Sequence, residues 1–171
     1  MPRFFTFACR GFAFLMAVAA VFGYLAWSGV ADSVTPDETN ALIGACLDSE
    51  RAAGRTGRSC IGRVTNPCKA RAENAHVDDQ LECDEREFVL WSQLLQKELA
   101  RLEALLKPDQ RQKLKASHAM WTDYQSAECR LPYAFFPRSE AIFEGPACTI
   151  ELKAARALQL RAWRDMLERS R

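Results

Sequence analysis

The stretch DDQLECDEREFVLWSQLLQKELARLEALLKPDQRQKLKASHAMWTDYQSAECRL, from Asp78 to Leu131, decides the fold. It contains two amphipathic segments that meet at Lys107-Pro108, with Cys83 near one outer end and Cys129 near the other. A chain that reverses at Pro108 brings both cysteines to the same end of an antiparallel helical hairpin. We expect the rest of the chain to be attached to this hairpin.

The first segment carries one continuous apolar face over about residues 78–106. The members of this face recur at helical spacing: Leu81, Phe88, Trp91, Leu95, Leu99, Leu102 and Leu106. The second segment has a weaker pattern. Its predicted inner face consists of Leu114, Met120, Trp121, Tyr124, Ala127 and Leu131. His118 lies one turn before Trp121, but no nucleophile accompanies it at a recognisable spacing, which favours a histidine at the rim over a catalytic base.

Residues 1–31 are typical of a cleaved signal peptide. Arg3 and Arg10 precede an uncharged run over residues 11–27, and Gly29-Val30-Ala31 supplies small residues for a signal peptidase. A bilayer span needs roughly 20 apolar residues, so this shorter run favours cleavage after Ala31 over an uncleaved anchor. We expect a soluble periplasmic or extracellular protein, with residues 32–171 as a single helical domain and no membrane contact after cleavage.

The net charge is close to zero and does not indicate binding to nucleic acid or to a charged membrane surface. Without the leader, the 23 basic residues fall to 21 against 22 acidic ones, which leaves a net charge of −1. Such a chain offers no field that would bind nucleic acid or a membrane surface.

Six cysteines remain after the leader: Cys46, Cys60, Cys68, Cys83, Cys129 and Cys148. An even number in an exported chain predicts disulfides, although six cysteines allow 15 pairings. Zinc or haem binding is the competing interpretation, but there is no Cys-x-x-Cys, and neither His76 nor His118 stands at a ligand spacing. We therefore expect structural disulfides, no metal and no cofactor.

Two further helices are predicted to flank the hairpin. The first begins at Thr35-Pro36-Asp37-Glu38, a capping signal, and ends near Ala53. Its buried stripe would contain Leu42, Ile43, Cys46 and Leu47. The last helix is predicted from Pro146 to about Leu167. Its inner face would contain Ile150, Leu152, Ala155, Leu158, Ala162, Trp163 and Met166, and its outer side Arg156, Arg161, Arg164, Arg169 and Arg171.

The connection over residues 54–77 has no sustained period and is predicted as a loop or a short turn of helix, fixed by Cys60 and Cys68. Its arginines Arg55, Arg58 and Arg63 are interpreted as a solvated surface in preference to a basic binding patch. The connection over residues 132–146 is predicted as a second loop, with unusually many aromatic rings.

Two stretches supply the candidate partner-binding residues. In the aromatic loop these are Tyr133, Phe135, Phe136, Arg138 and Phe143, whose rings either cap the hairpin or remain exposed as interface residues. At the acidic start of the long helix they are Asp78, Asp79 and Glu82, which either complement the helix dipole or dock a basic partner.

The residues Trp121, Tyr124 and Cys129 form a Trp-x-x-Tyr-x-x-x-x-Cys pattern, and Cys60-Ile61-Gly62-Arg63, Cys68, Cys83 and Cys148 surround it in order. Over about residues 60–160 the chain thereby resembles the lysozyme inhibitor LprI N-terminal domain family. The resemblance implies an exported helical domain with a cysteine framework, and a lysozyme-type muramidase as its target. The shared residues have structural roles, so the resemblance assigns no binding residue.

Proximity along the chain suggests how the cysteines pair. Cys129 and Cys148 flank the aromatic loop, and a bridge between them would contribute about 3 kcal/mol through the unfolded chain. The remaining pairs would be Cys68 with Cys83 and Cys46 with Cys60. The predicted fold is all-α, a small disulfide-stapled bundle of three to four helices built on a long antiparallel helical hairpin.

No catalytic motif is present. The sequence contains no Gly-x-Ser-x-Gly, phosphate loop or His-Glu-x-x-His. We interpret the chain as a non-catalytic protein-binding domain, and the family resemblance implies an inhibitor that occludes the cleft of lysozyme-type muramidases. An envelope interaction or stability factor unrelated to lysozyme is the alternative, and an enzyme of unrecognised type is a weaker third.

Overall fold

The structure, a computed structural model, describes residues 36–171, with side chains from residue 41 onward. The leader, its cleavage site and the capping residue Thr35 lie outside the described residues. Six α-helices are described, α1 (Pro36–Ala52), α2 (Thr65–Lys69), α3 (Val77–Leu105), α4 (Pro108–Glu128), α5 (Leu131–Phe135) and α6 (Arg138–Arg169). Short 3-10 turns occupy Arg58–Cys60 and Ala72–Asn74, and this part of the chain has no strand. The predicted all-α, disulfide-linked bundle is confirmed.

The main helix pair of the bundle is α3 with α6. Trp91, Leu95 and Leu102 of α3 are at most 2% exposed. Ala154 and Ala157 of α6 are fully buried, and these small side chains let the two helices approach closely. The stripe predicted for the long helix is therefore the core face, and its principal neighbour is the last helix.

Helix α4 differs from the predicted hairpin partner. It follows α3 after the turn at Lys107 and packs on the bundle through few residues, with Leu114 as its only buried side chain. Tyr124 and Met120, predicted for the inner face, are 52% and 66% exposed, and Leu131 just beyond the helix is 40% exposed. The face that α4 turns to the bundle carries Ser117 and His118 between Leu114 and Trp121, so it has too little apolar area to compete with α6.

The last helix begins at Arg138, eight residues before the predicted start, and Pro146 lies inside it. The N-cap of the helix is Pro137. Its carbonyl accepts hydrogen bonds from the backbone N–H groups of Glu140 and Ala141 at 2.9 and 3.0 Å. Both prolines are compatible with a first turn, and the predicted start at Pro146 is wrong. As a result the predicted aromatic loop is largely helical, in α5 and the first turns of α6.

The register of α6 also differs from the prediction. Arg156 and Arg164, assigned to the outer side, are 7% and 5% exposed, whereas Trp163 and Met166, assigned to the core, are 37% and 51% exposed. Ala162 is exposed as well. Arg164 is buried because Nη1 donates to Glu98 of α3 at 2.5 Å and Nη2 to Asp165 at 2.6 Å. A paired guanidinium can occupy a core position that an unpaired one cannot.

Helix α1 is joined to this cluster through Asp165. Arg51 donates to Asp165 at 2.5 Å, which links α1 to α6. Burial raises the pKa of Asp165, but hydrogen bonds from Arg51 and Arg164 outweigh this effect and hold the pKa below its ordinary value. Ile43 and Leu47 are buried as predicted, whereas Leu42 is 53% exposed.

The segment between α1 and α3 is fixed by the carboxylate of Glu87, which is fully buried on α3. One oxygen accepts the N–H of Gly62 at 2.6 Å and the indole Nε1–H of Trp91 at 2.9 Å. The other accepts the N–H groups of Val64 and Thr65, at 3.1 and 2.8 Å, at the start of α2. Gly62 has a φ of +84° and a side chain there would meet Asn66 at 2.6 Å, so this turn requires glycine.

Three disulfides connect neighbouring elements. They join Cys46 to Cys60, Cys68 to Cys83, and Cys129 to Cys148. These are the pairs that proximity along the chain suggested. The second bridge acts beside the Glu87 contacts and the ion pair of Lys69 with Asp84, at 2.7 Å, so that α2 is fixed to α3 in three ways.

None of the helices within residues 36–171 combines the length and the apolar composition that a bilayer crossing requires.

We predict that Glu87→Gln lowers the free energy of unfolding by about 1–3 kcal/mol, because buried N–H donors lose a carboxylate oxygen and face an amide NH₂ group. Chemical denaturation followed by circular dichroism measures this change. Glu82→Gln is the matched control, since Glu82 lies on the same helix and is exposed. Equal effects of the two substitutions would contradict the role given to Glu87.

We predict that non-reducing tryptic mapping yields three linked peptide pairs, each joining consecutive cysteines. A Lys or Arg lies between every two neighbouring cysteines from Cys46 to Cys148, so trypsin places all six on separate peptides. A peptide linking Cys46 to Cys129 would be incompatible with the fold.

Candidate protein-binding surface

Three aromatic side chains form an exposed corner where α4 turns into α6. Tyr133 and Phe135 belong to α5 and are 55% and 69% exposed, and Phe136 follows at 48%. The helix is one turn long because Pro132 starts it and Pro137 prevents its continuation. We call Tyr133, Phe135 and Phe136 the aromatic corner.

The aromatic corner is attached to α6 at Gly145. A Cβ atom on Gly145 would lie 2.5 Å from Cε2 and 2.8 Å from the hydroxyl of Tyr133, so the ring covers the glycine backbone directly. The bridge between Cys129 and Cys148 joins the end of α4 to α6 close by. A disulfide and a packed ring thus restrict a short segment whose remaining rings face solvent, an arrangement that reduces the entropy lost on binding.

The other residues predicted in this region take different positions. Arg138 is exposed at the first turn of α6. Phe143 is half-buried, and the Nζ atom of Lys69 lies 5.5 Å from its ring centroid, so Phe143 packs toward α2. Four of the five residues predicted here are therefore exposed, and Phe143 is used within the fold.

The acidic start of α3 has less free charge than the sequence suggests. Asp84 and Glu87 are 2% and 0% exposed and bind groups of this chain. Of the three candidate residues, Asp78 and Glu82 are exposed and Asp79 is half-buried. Glu82 also accepts a hydrogen bond from Arg86 at 2.6 Å. The segment keeps acidic residues at its surface, but its buried carboxylates stabilise the fold.

Arg55 and Arg58, from the connection over residues 54–77, likewise have partners within the chain. Arg55 binds Glu50 at 2.6 and 2.8 Å, and Arg58 binds Glu151. The hydrogen bond from Arg55 is the main cause that holds the pKa of Glu50 below its ordinary value. Arg63 is exposed.

Two exposed side chains on α4 were missed by the sequence analysis. Met120 and Tyr124 lie one turn apart on the solvent face, before the aromatic corner. Helical spacing assigned them to the core because it cannot tell which of two apolar stripes is covered. The only available signal was the polar pair Ser117 and His118 on the opposite stripe.

The contact between α4 and α6 is polar and cationic. The rings of His118 and Trp121 stack with centroids 5.5 Å apart and an interplanar angle of 12°. Burial is the largest cause that lowers the pKa of His118, and the positive charges of Arg156 and Lys153 on α6 add to it, against a smaller opposite effect of Glu103 on α3. His118 Nδ1 is buried without a hydrogen-bond partner.

The described residues contain no group of three or more His, Cys, Asp or Glu side chains that could hold a metal ion. Among the described residues the imidazole of His118 has no hydrogen bond to a nucleophile or a carboxylate, and the hydroxyl of Thr122 binds only the backbone carbonyl of His118, so this neighbourhood differs from a catalytic arrangement.

A model of the family described as lysozyme inhibitor LprI matches residues 68–160, more than half of the chain. The matched segment begins at the cysteine of α2 and includes α3, α4, α5 and most of α6. No curated protein and no solved structure matches the chain.

We predict that His118 makes the protein less stable in acid. Its pKa is lower in the folded than in the unfolded state, where it is about 6.5. The unfolded chain therefore binds the proton more readily, and the stability associated with neutral His118 is lost as the pH falls below that value.

The measurement is the unfolding free energy of the wild type and of His118→Gln at several pH values between neutrality and mild acid. As the pH is lowered, the unfolding free energy of the wild type should decrease relative to that of His118→Gln. His76→Gln shows the effect of removing the other histidine. A difference between wild type and His118→Gln that stays constant with pH would refute the prediction.

Proposed function

The chain belongs to the LprI lysozyme inhibitor family, and on this basis we propose that it is an exported, non-catalytic domain that binds and inhibits lysozyme-type muramidases. The observation that supports binding most directly is the aromatic corner, in which exposed rings lie on a segment restricted by a disulfide. Aromatic residues are enriched among those that dominate binding energy at protein interfaces.

Location outside the cytoplasm is supported by the three disulfides, since the cytosol keeps thiols reduced. In that compartment the protein would meet muramidases that attack the cell wall. Inhibition requires only that the domain covers the substrate cleft, so it needs no catalytic group of its own.

The aromatic corner is a better contact than the acidic start of α3. The net charge without the leader gives little long-range attraction to a basic muramidase, and Asp84 and Glu87 do not face a partner. Asp78, Asp79 and Glu82 remain available for a secondary contact at the edge of an interface, where exposed charges affect the association rate more than the affinity.

The alternative is an envelope interaction or stability factor that uses the same aromatic corner for a different protein. The exposed rings favour both functions equally, and the family membership favours the muramidase.

We predict that the purified protein slows cell-wall hydrolysis by a lysozyme-type muramidase, and that Phe135→Ala with Phe136→Ala raises the inhibition constant about tenfold or more. Leu42→Ala is the matched control, because it removes a similarly exposed apolar side chain from the distant helix α1. Circular dichroism verifies that each variant is folded.

An unchanged hydrolysis rate with excess wild-type protein across a panel of muramidases would refute muramidase inhibition. A pull-down from periplasmic extract would then test the alternative. Inhibition that is insensitive to Phe135 and Phe136 would keep the function and move the contact elsewhere.

A further inference from the structure

Arg156 is an exception among the buried charged side chains of the described residues. Glu98 pairs with Arg164, Asp84 with Lys69, and Glu50 with Arg55. Glu87 accepts four N–H donors. Arg156 is 7% exposed, yet within this part of the chain no carboxylate oxygen lies within 4.0 Å of it. A buried cation without an anion is unfavourable unless something else supplies the charge.

The surroundings of Arg156 include aromatic rings, which attract a cation, and a second cation, which does not offset its charge. Its Cζ atom lies 5.9 Å from the ring centroid of Trp121 on α4 and 5.5 Å from that of Trp163 on α6, so indole rings flank the guanidinium. Lys153, one turn earlier, contacts the ring of Phe88 at 4.8 Å, and no described carboxylate lies within salt-bridge distance of it. The ring of His118 stacks on that of Trp121 in the same contact. The contact between α3, α4 and α6 is therefore cationic and bordered by aromatic rings.

The hydrogen bonds of Arg156 leave room for a stronger acceptor. Nη1 donates to Oε1 of Gln159 at 2.5 Å, Nη2 donates weakly to Oγ of Ser117 at 3.4 Å, and Nε has no partner. Gln159 is exposed, so its neutral amide oxygen occupies the solvent side of the guanidinium and can be displaced. A carboxylate there would form charge-assisted bonds, which are roughly twice as strong as neutral ones.

We propose that Arg156, between Trp121 and Trp163, is a binding site for a carboxylate, supplied by an acidic side chain of the bound partner protein that displaces Gln159. The identification of that partner as a muramidase rests on the proposed function.

The side chains around the site have the composition of an interface. Trp163 and Met166 are 37% and 51% exposed and lie on the same stripe of α6 as Arg156 and Gln159. Tryptophan, methionine and arginine are enriched at the centres of protein interfaces. A folded partner can therefore cover the indole and thioether groups while its carboxylate reaches the guanidinium.

The first experiment tests the isolated protein. Gln159→Glu supplies a carboxylate within the chain and should raise the melting temperature, and Arg156→Gln in the same chain should abolish that gain. Gln112→Glu is the matched control, because it makes the same charge change at an exposed position of α4 with Lys115 nearby. Stabilisation by Gln159→Glu that persists without Arg156, or none at all, would overturn the site.

The second experiment measures binding to a muramidase that the wild type inhibits. Gln159→Glu should weaken binding about tenfold or more, because the internal carboxylate competes with that of the partner, whereas Gln112→Glu should not. Surface Asp and Glu residues of the muramidase are replaced one at a time by the corresponding amide, and binding to the wild type and to Gln159→Glu is measured. One of these replacements should weaken binding to the wild type and leave binding to Gln159→Glu unchanged. Wild-type affinity in Gln159→Glu would overturn the proposal and leave the proposed function intact.

A third measurement covers the case in which no muramidase binds, and the proposed function fails. Sodium acetate in place of sodium chloride at equal ionic strength should then raise the melting temperature of the wild type more than that of Gln159→Glu. This result would retain the carboxylate site and reject the muramidase as its partner. Equal shifts would reject the site as well.

Discussion

The first half of the domain depends on the hydrogen bonds that the buried carboxylate of Glu87 accepts. Its two oxygens accept hydrogen bonds from three backbone N–H groups, those of Gly62, Val64 and Thr65 at the start of α2, and from the indole of Trp91, and water has no access to them. One side chain thus satisfies donors at the start of a short helix and orients the largest buried ring of the core. The segment between α1 and α3 contains little apolar surface, so polar contacts and disulfides must hold it.

Buried charge recurs through the rest of the bundle. Glu98 and Arg164 connect α3 to α6, and Asp165 extends this connection through Arg51 to α1. These pairs bind residues far apart in sequence and restrict the relative positions of three helices. Apolar packing between α3 and α6 supplies the main stabilisation, and the ion pairs select one arrangement of the helices around it.

The same charges explain how far the sequence could predict the structure. The stripe of Trp91, Leu95 and Leu102 follows helical spacing, so α3 and its core face were predictable. The burial of Arg164 was not, because it depends on Glu98, 66 residues away. Local patterns place arginine outside and tryptophan inside, and both assignments fail at Arg164 and Trp163 of α6. The same limit applies to the candidate site, since the aromatic composition of residues 132–146 drew attention to Phe135, whereas helical spacing could not show that Tyr124 is exposed.

The three disulfides follow one another along the chain without overlap. Each joins one cysteine to the next, at sequence separations of 14, 15 and 19, and none of the three bridges encloses another. If the chain enters an oxidising compartment with its amino end first, the next cysteine to emerge after the first member of each pair is therefore its native partner. Oxidation in the order of appearance would give the native connectivity, so no cysteine would have to exchange one partner for another.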